Sequence, residues 1–282
     1  MKLATLVTAQ ELAAQLADVD LLIVDCRFDL ADPARGAREY AQAHIPGAVY
    51  ADLNLDLSDL SRKGLGRHPL PEAQAFSGVL GRWGWTPHTR VVAYDDANGA
   101  LAAARLWWML RLTGAREVAV LDGGLGAWKA TGLPLDALPV ARVPTSAMVA
   151  FDPDEIIYNE QLYQLRKTSD ALILDARAAP RFRGENETID PVAGHIPGAR
   201  NRPFSENLQA DGRFKPAATL RTEIESQLGA QAASDVIHSC GSGVTACHNL
   251  LAFEHAGLGG SRVYAPSWSA WINDPARPVE RG

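Results

Sequence analysis

Cys240 stands in the run Val236-Ile-His-Ser-Cys240-Gly-Ser-Gly-Val-Thr-Ala246. A cysteine thiolate is among the few protein groups nucleophilic enough to form a covalent intermediate near neutral pH. The local pattern predicts a setting for one. The short apolar run Val236-Ile237 reads as the end of a strand, and Gly241, Ser242 and Gly243 read as a tight loop. A helical pattern then runs through Leu250, Leu251 and Glu254 to a stop at Gly257. N–H groups of such a loop can turn inward and hold an anion, and the positive end of the helix favours a thiolate over a thiol. The other two cysteines read more plainly. Cys247 falls on the following helix and Cys26 ends a buried strand, so both are expected to pack in the core.

The elements that position this loop occur twice. Thr8 followed three residues later by Glu11 predicts a capping box, with Leu12 and Leu16 on one helix face. Leu21-Leu22-Ile23-Val24 is apolar without alternation, as in a parallel strand covered on both sides, and ends in Asp25-Cys26-Arg27. A helix over 72–83, a strand Arg90 to Tyr94 ending at Asp95, a helix over 101–112 and a strand Val118 to Leu121 follow. The second half answers in the same order. Leu172-Ile-Leu-Asp175-Ala-Arg177 matches the first strand and Gly194-His195-Ile-Pro-Gly-Ala199 matches Ala43 to Ala48. Cys240 matches Asp95, Gly257 matches Gly114 and Trp271 matches Trp128, at a spacing of about 150 residues. The chain therefore reads as two copies of one α/β unit. Residues 1–138 form a copy without the cysteine, and 154–282 form the copy that carries it. Between them lies a proline-punctuated linker over 139–153. In such sheets ligands sit beyond the carboxyl ends of the strands, where Asp95 and Cys240 fall.

Whole-chain properties narrow the function classes. The chain has 282 residues, 47% of them apolar, with a net charge of −6. That balance excludes a general nucleic-acid binder, whose footprint is basic. No apolar stretch approaches a membrane span, and Met1 to Val7 is too short an apolar run for a signal peptide. Three cysteines without a CxxC pair argue against a disulfide scaffold or structural zinc. No metal and no cofactor are expected, and a reducing cytoplasm fits best.

Tyr40-x-x-x-His44-Ile-Pro-Gly-Ala48, with its core repeated at His195-Ile-Pro-Gly-Ala199, resembles the N-terminal signature of the rhodanese family of sulfurtransferases. Asp122-Gly-Gly-Leu-x-x-Trp128 and Tyr264-x-x-Ser-Trp268-x-x-Trp271 are similar to its C-terminal signature, the latter departing at Pro266 and Ala270. The resemblance spans nearly the whole chain. It implies two tandem rhodanese-like domains, each a small, mainly parallel sheet flanked by helices. Cys240-Gly-Ser-Gly-Val-Thr245 is similar to the active loop of the family's 3-mercaptopyruvate enzymes; thiosulfate enzymes carry two basic residues where Gly241 and Ser242 stand. A sulfane sulfur would then pass from a small-molecule donor to Cys240 as a persulfide, and on to a cyanide or thiol acceptor, reduced thioredoxin among them. The resemblance favours 3-mercaptopyruvate as donor, with thiosulfate the alternative.

It also implies roles for further residues. Cys240, Ser242 and His68 would be catalytic, with Ser242 linked to His68 and to an acid, either Asp52 or Asp56. The loop residues Gly241, Gly243, Val244 and Thr245 would hold the donor, and Arg181 would bind its carboxylate. Where the mercaptopyruvate enzymes carry a second arginine, nine residues on, this chain has Asp190 in an acidic run; Arg67 is a candidate for the missing charge. Arg183 reads as a surface neighbour. Asp25 and Asp175, present in both copies, are expected to brace the loop or its relic, and His44 and His195 to be scaffold. Trp107, Trp108, Trp268 and Trp271 are expected to pack rather than to hold a cofactor. A cysteine phosphatase would need an arginine at 246, which is alanine. A sulfur carrier without catalysis fits only the first copy, whose Asp95 cannot hold a persulfide.

Overall fold

Four successive apolar residues, Leu21 to Val24, are stable in a strand only when both faces of the sheet are covered. The computed structural model, which describes residues 5–168 and 171–282, has them buried in an interior strand of the sheet. The chain divides into two compact units, one of residues 1–59, 71–152 and 210–213, the other of 60–70, 153–209 and 214–282. Residues 1–4 of the N-terminal apolar run lie outside the described residues.

In the first unit the strands are β1 (Leu6–Val7), β2 (Leu21–Asp25), β3 (Ala48–Tyr50), β4 (Arg90–Tyr94) and β5 (Val118–Leu121). They form one parallel sheet in the order β1-β5-β4-β2-β3. The second unit has β6 (Ile156–Ile157), β7 (Leu172–Asp175), β8 (Arg200–Asn201), β9 (Val236–Ser239) and β10 (Arg262–Tyr264). Its order, β6-β10-β9-β7-β8, is the same permutation, again all parallel. The internal repeat is therefore a structural repeat. The capping box forms at Thr8, whose side chain accepts from Glu11 N–H while the Glu11 carboxylate accepts from Thr8 N–H. Trp128 is fully buried in the first core, and Trp268 and Trp271 in the second, each indole N–H donating to a backbone carbonyl. Trp107 and Trp108 are buried on the helix Ala102–Leu112.

One expectation needs correction. Asp25 and Asp175 do not brace the loops. Each clamps the arginine two residues on, Asp25 to Arg27 at 2.6 Å and Asp175 to Arg177 at 2.7 Å. The arginine in turn donates to a carbonyl of the signature segment, Ala43 or Gly194. The reason is geometric: a buried guanidinium needs a carboxylate partner, and an aspartate two residues away also accepts its backbone N–H. His44 and His195 serve as scaffold: each Nδ1 bonds a nearby carbonyl, and each ring stacks on an aromatic, Tyr40 or Phe182. The proline-rich stretch lies along the first unit. Thr145 N–H donates to Gly81 O, Val149 N–H to Ser77 Oγ and Asp152 N–H to Leu112 O. Among the described residues no helix is long and apolar enough to cross a membrane.

Candidate active site

Cys240 follows β9, the middle strand of its sheet, and is buried. The loop's carbonyls are fixed from outside: Cys240 O accepts from Trp268 N–H at 3.0 Å and Gly241 O from Ser269 N–H at 2.9 Å. Holding those carbonyls outward leaves N–H groups facing in. Gly243 N–H donates to Cys240 Sγ at 3.2 Å. The N–H groups of Gly241 and Ser242, although in buried residues, make no hydrogen bond among the described residues. Val244 and Thr245 begin the helix Thr245–His255, whose first N–H groups have no carbonyl partner within the helix. Gly243 must be glycine. Its φ is +75°, and a Cβ there would stand 2.1 Å from Ala265 O.

This arrangement of N–H groups has an internal parallel. In the first unit Asp95 occupies the cysteine's position after β4. Its Oδ1 accepts from Ala97 and Gly99 N–H, and its Oδ2 from Leu101 and Ala103 N–H, at 2.8–3.2 Å. The loop of this fold thus gathers around two oxygens of an anionic group. In the second unit Cys240 stands at the corresponding place, and its Sγ accepts from Gly243 N–H.

His68 and Arg67 come from the segment Leu60–Leu70, which packs with the second unit rather than the first. Gly66 lies so close to this unit's backbone that a Cβ would be 2.5 Å from Pro266 O, and Arg67 N–H donates to Ser269 Oγ at 2.9 Å. His68 is buried, not solvated, and its Nδ1 is 2.8 Å from Ser242 Oγ. Asp52 and Asp56, the acids considered for His68, make the following contacts within the first unit. Asp52 Oδ1 accepts from Asn54 and Leu55 N–H; Asp56 pairs with Arg82 at 2.6 Å and accepts from Asp52 N–H. Burial raises the Asp56 pKa above the usual carboxylate value.

Arg181, on the short helix Ala179–Arg183, reaches the same loop. A Cβ on Gly241 would lie 3.7 Å and 3.8 Å from its two terminal nitrogens, and 3.0 Å from Nη2 of Arg67. Both guanidiniums thus flank the residue after the cysteine. Arg183 turns away and pairs with Glu185. Cys247 is buried, with its Sγ 3.3 Å from Gly243 O, and Cys26 is buried in the first unit. Burial, reinforced by the charges of Asp25, Asp95 and Asp56, pushes the Cys26 thiol well above its usual pKa, which makes it a poor nucleophile.

Sequence reasoning missed Ser267 and Ser269. Ser267 adopts φ +55°, and its Oγ accepts from Cys240 N–H at 3.1 Å while donating to Tyr264 O at 2.9 Å. Their positions inside the Tyr264 to Trp271 motif were the available signal. Chemically, the site brings together a cysteine sulfur, a loop with N–H groups free of carbonyl partners, a hydroxyl–imidazole pair able to move a proton, and two cations able to fix a carboxylate.

The Rhodanese-like domain model matches residues 8–131 and 158–274 of this chain. A Pseudomonas aeruginosa protein named probable 3-mercaptopyruvate sulfurtransferase is 49% identical over 284 residues, covering all of both chains. A Mycobacterium tuberculosis protein provisionally named thiosulfate sulfurtransferase is 38% identical over 281 residues, 98% of this chain and 97% of that one. The crystal structure of a 3-mercaptopyruvate enzyme from Escherichia coli superposes with a TM-score of 0.82 at 33% identity, covering 95% of this chain and all of that one.

Proposed function

Because this chain belongs to the rhodanese family, we propose that it is a 3-mercaptopyruvate sulfurtransferase working through a persulfide on Cys240. The observation that carries this reading is the pair of guanidiniums, Arg67 and Arg181, beside a loop that itself bears no charge. A donor with one carboxylate remote from its sulfur fits cations set back from the nucleophile. A compact dianion such as thiosulfate would gain more from basic residues in the loop itself.

The chemistry follows from the placement. Cys240 sulfur attacks the donor's thiol sulfur, an S–S bond forms, and the donor's C–S bond breaks. The electron pair of that bond passes into the adjacent ketone as an enolate. The enolate carbon takes up a proton, so the proton that leaves the sulfur is matched by one gained at carbon, and pyruvate results. Ser242 and His68, 2.8 Å apart, are the pair placed to move that proton. The negative outer sulfur of the persulfide lies in the loop, where Gly241, Ser242 and Gly243 supply N–H groups and Val244 and Thr245 the helix end. A thiophilic acceptor then attacks the outer sulfur and restores the Cys240 thiolate. Cyanide, a small thiol or reduced thioredoxin meets that requirement. We propose a reducing, cytoplasmic setting, in which the Cys240 thiol is regenerated between turnovers. We place the chemistry in the second copy, 154–282 with residues 60–70. The first copy, 1–138, is scaffold, joined through 139–153.

The test is kinetic: kcat/KM for 3-mercaptopyruvate and for thiosulfate, with cyanide as acceptor. A preference for thiosulfate above about tenfold, ~1.4 kcal/mol in the barrier, would overturn the choice of donor. In the same assay Arg181→Ala is expected to raise KM for 3-mercaptopyruvate by roughly 10–100-fold, since a charge-assisted carboxylate contact is lost. An unchanged kcat/KM would remove Arg181 from the donor site.

A further inference from the structure

Asp190 is buried behind the two guanidiniums and joins them. Its Oδ1 accepts from Arg67 Nη1 at 2.7 Å and its Oδ2 from Arg181 Nη2 at 3.1 Å. Its side chain is 2% exposed, against 24% for Arg67 and 20% for Arg181. The carboxylate therefore sits on the protein side of the pair and not in the donor's path. Glu187 completes the clamp, holding Nε and Nη2 of Arg181 through both of its oxygens and accepting the N–H groups of Ile189 and Asp190. What remains is a short set of unengaged donors. Arg67 Nη2 and Arg181 Nη1 make no hydrogen bond or ion pair with any described residue, and both lie close to Gly241. Arg67 Nε is buried without a partner among the described residues.

We propose that Asp190 is a positioning and donor-selecting residue: it ties one nitrogen of each arginine so that Arg67 Nη2 and Arg181 Nη1 face the Cys240 loop as a matched pair for a single carboxylate. This rests on the functional reading above and extends it to Asp190, whose distance in sequence from Arg67 hides their pairing. Fixing the pair in advance lowers the side-chain entropy lost when the donor binds. The charge balance is the second half of the argument. Arg67 and Arg181 are offset by Asp190 and Glu187, and Arg177, 3.6 Å from Glu187, is offset by Asp175, so the six groups are neutral together. A monoanion can then be held by directed hydrogen bonds, while a dianion finds no surplus positive charge.

Three full-length variants test this against wild type: Asp190→Asn, Arg67→Ala and the double variant, each checked for folding by thermal unfolding. For Asp190→Asn, KM for 3-mercaptopyruvate should rise roughly tenfold with kcat within about threefold, while kcat/KM for thiosulfate rises several-fold because one positive charge is uncovered. Arg67→Ala should raise KM for 3-mercaptopyruvate by a similar factor without the gain for thiosulfate. Since Asp190 acts in part through Arg67 and in part through Arg181, the double variant should lose more with 3-mercaptopyruvate than Arg67→Ala alone, but less than the product of the two single losses. If Asp190→Asn lowers both donors in parallel, or leaves their ratio unchanged, Asp190 is only structural and the proposal falls. An Arg67→Ala variant with wild-type KM for 3-mercaptopyruvate overturns it as well, and does so even if Asp190→Asn fails to fold. A wild-type protein inert toward 3-mercaptopyruvate would instead overturn the functional reading, and this inference with it.

Discussion

Cys240→Ser is expected to lower kcat/KM by at least about a thousandfold, close to 4 kcal/mol of barrier, with either sulfur donor. Serine fits the site. It is slightly smaller, can accept the Gly243 N–H that now reaches the sulfur at 3.2 Å, and leaves the carbonyl contacts to Trp268 and Ser269 N–H untouched. The loss would therefore be chemical rather than structural. A hydroxyl at neutral pH offers almost no anion to attack sulfur, and an S–O bond is no substitute for a persulfide. Two measurements check this together: initial rates with cyanide, and the protein's mass after exposure to donor without acceptor. Wild type should gain one sulfur atom and the variant none. A serine variant within about tenfold of wild-type rate would sink the assignment of the nucleophile.

The second large effect is on stability and lies in the first copy. Asp95→Ala should destabilise the first unit by about 3–5 kcal/mol, since four N–H groups, two of them fully buried, lose their acceptors at once. Asp95→Asn keeps the shape but turns an NH2 group toward N–H donors, so it should also lose stability, though less. The native residue adds a pH dependence that neither variant has. Burial pushes the Asp95 pKa from 3.8 up to about 6, although the N–H groups of Gly99, Ala97 and Ala103 oppose the rise. The folded state thus binds a proton more tightly than the unfolded chain. Its contribution to stability is fully present below 3.8 and is lost as pH rises through about 6. The span is ~3 kcal/mol at 1.36 kcal/mol per unit. Denaturant midpoints followed across that window in wild type and Asp95→Asn provide the check. A wild-type profile that stays parallel to the variant's would show that Asp95 does not titrate there.

The fold was legible because its signals are local and occur twice. Leu21 to Val24 and Leu172 to Leu174 are buried parallel strands, Cys240 follows its strand directly, and Thr8 with Glu11 makes its box. The site was legible where a motif is contiguous. It was less so where partners lie far apart in sequence. Arg67 and Asp190 are 123 residues apart, and His68 and Ser242 are 174 apart. Nothing in the order of residues says that a carboxylate in an acidic run faces inward against two arginines. Asp175 misled for a related reason. Its position beside the loop is evident from the strand end, but its partner Arg177 is decided by the need to neutralise a buried guanidinium. That Asp95 gathers four N–H groups was hidden too, because the direction of backbone amides in an irregular loop has no sequence code.

The packing of residues 60–70 with the second unit, and of 210–213 with the first, has a genetic consequence. Each repeat donates a piece of chain to the other body. A fragment made by cutting the gene in the proline-rich stretch over 139–153 would carry Cys240, Ser242, Arg181 and Asp190, but not Arg67 or His68. The repeat without the cysteine is therefore not dispensable ballast that shortening of the gene could remove. It encodes Arg67 and His68, two residues of the proposed donor site, so on that reading the two halves are held together by inheritance as well as by the peptide chain.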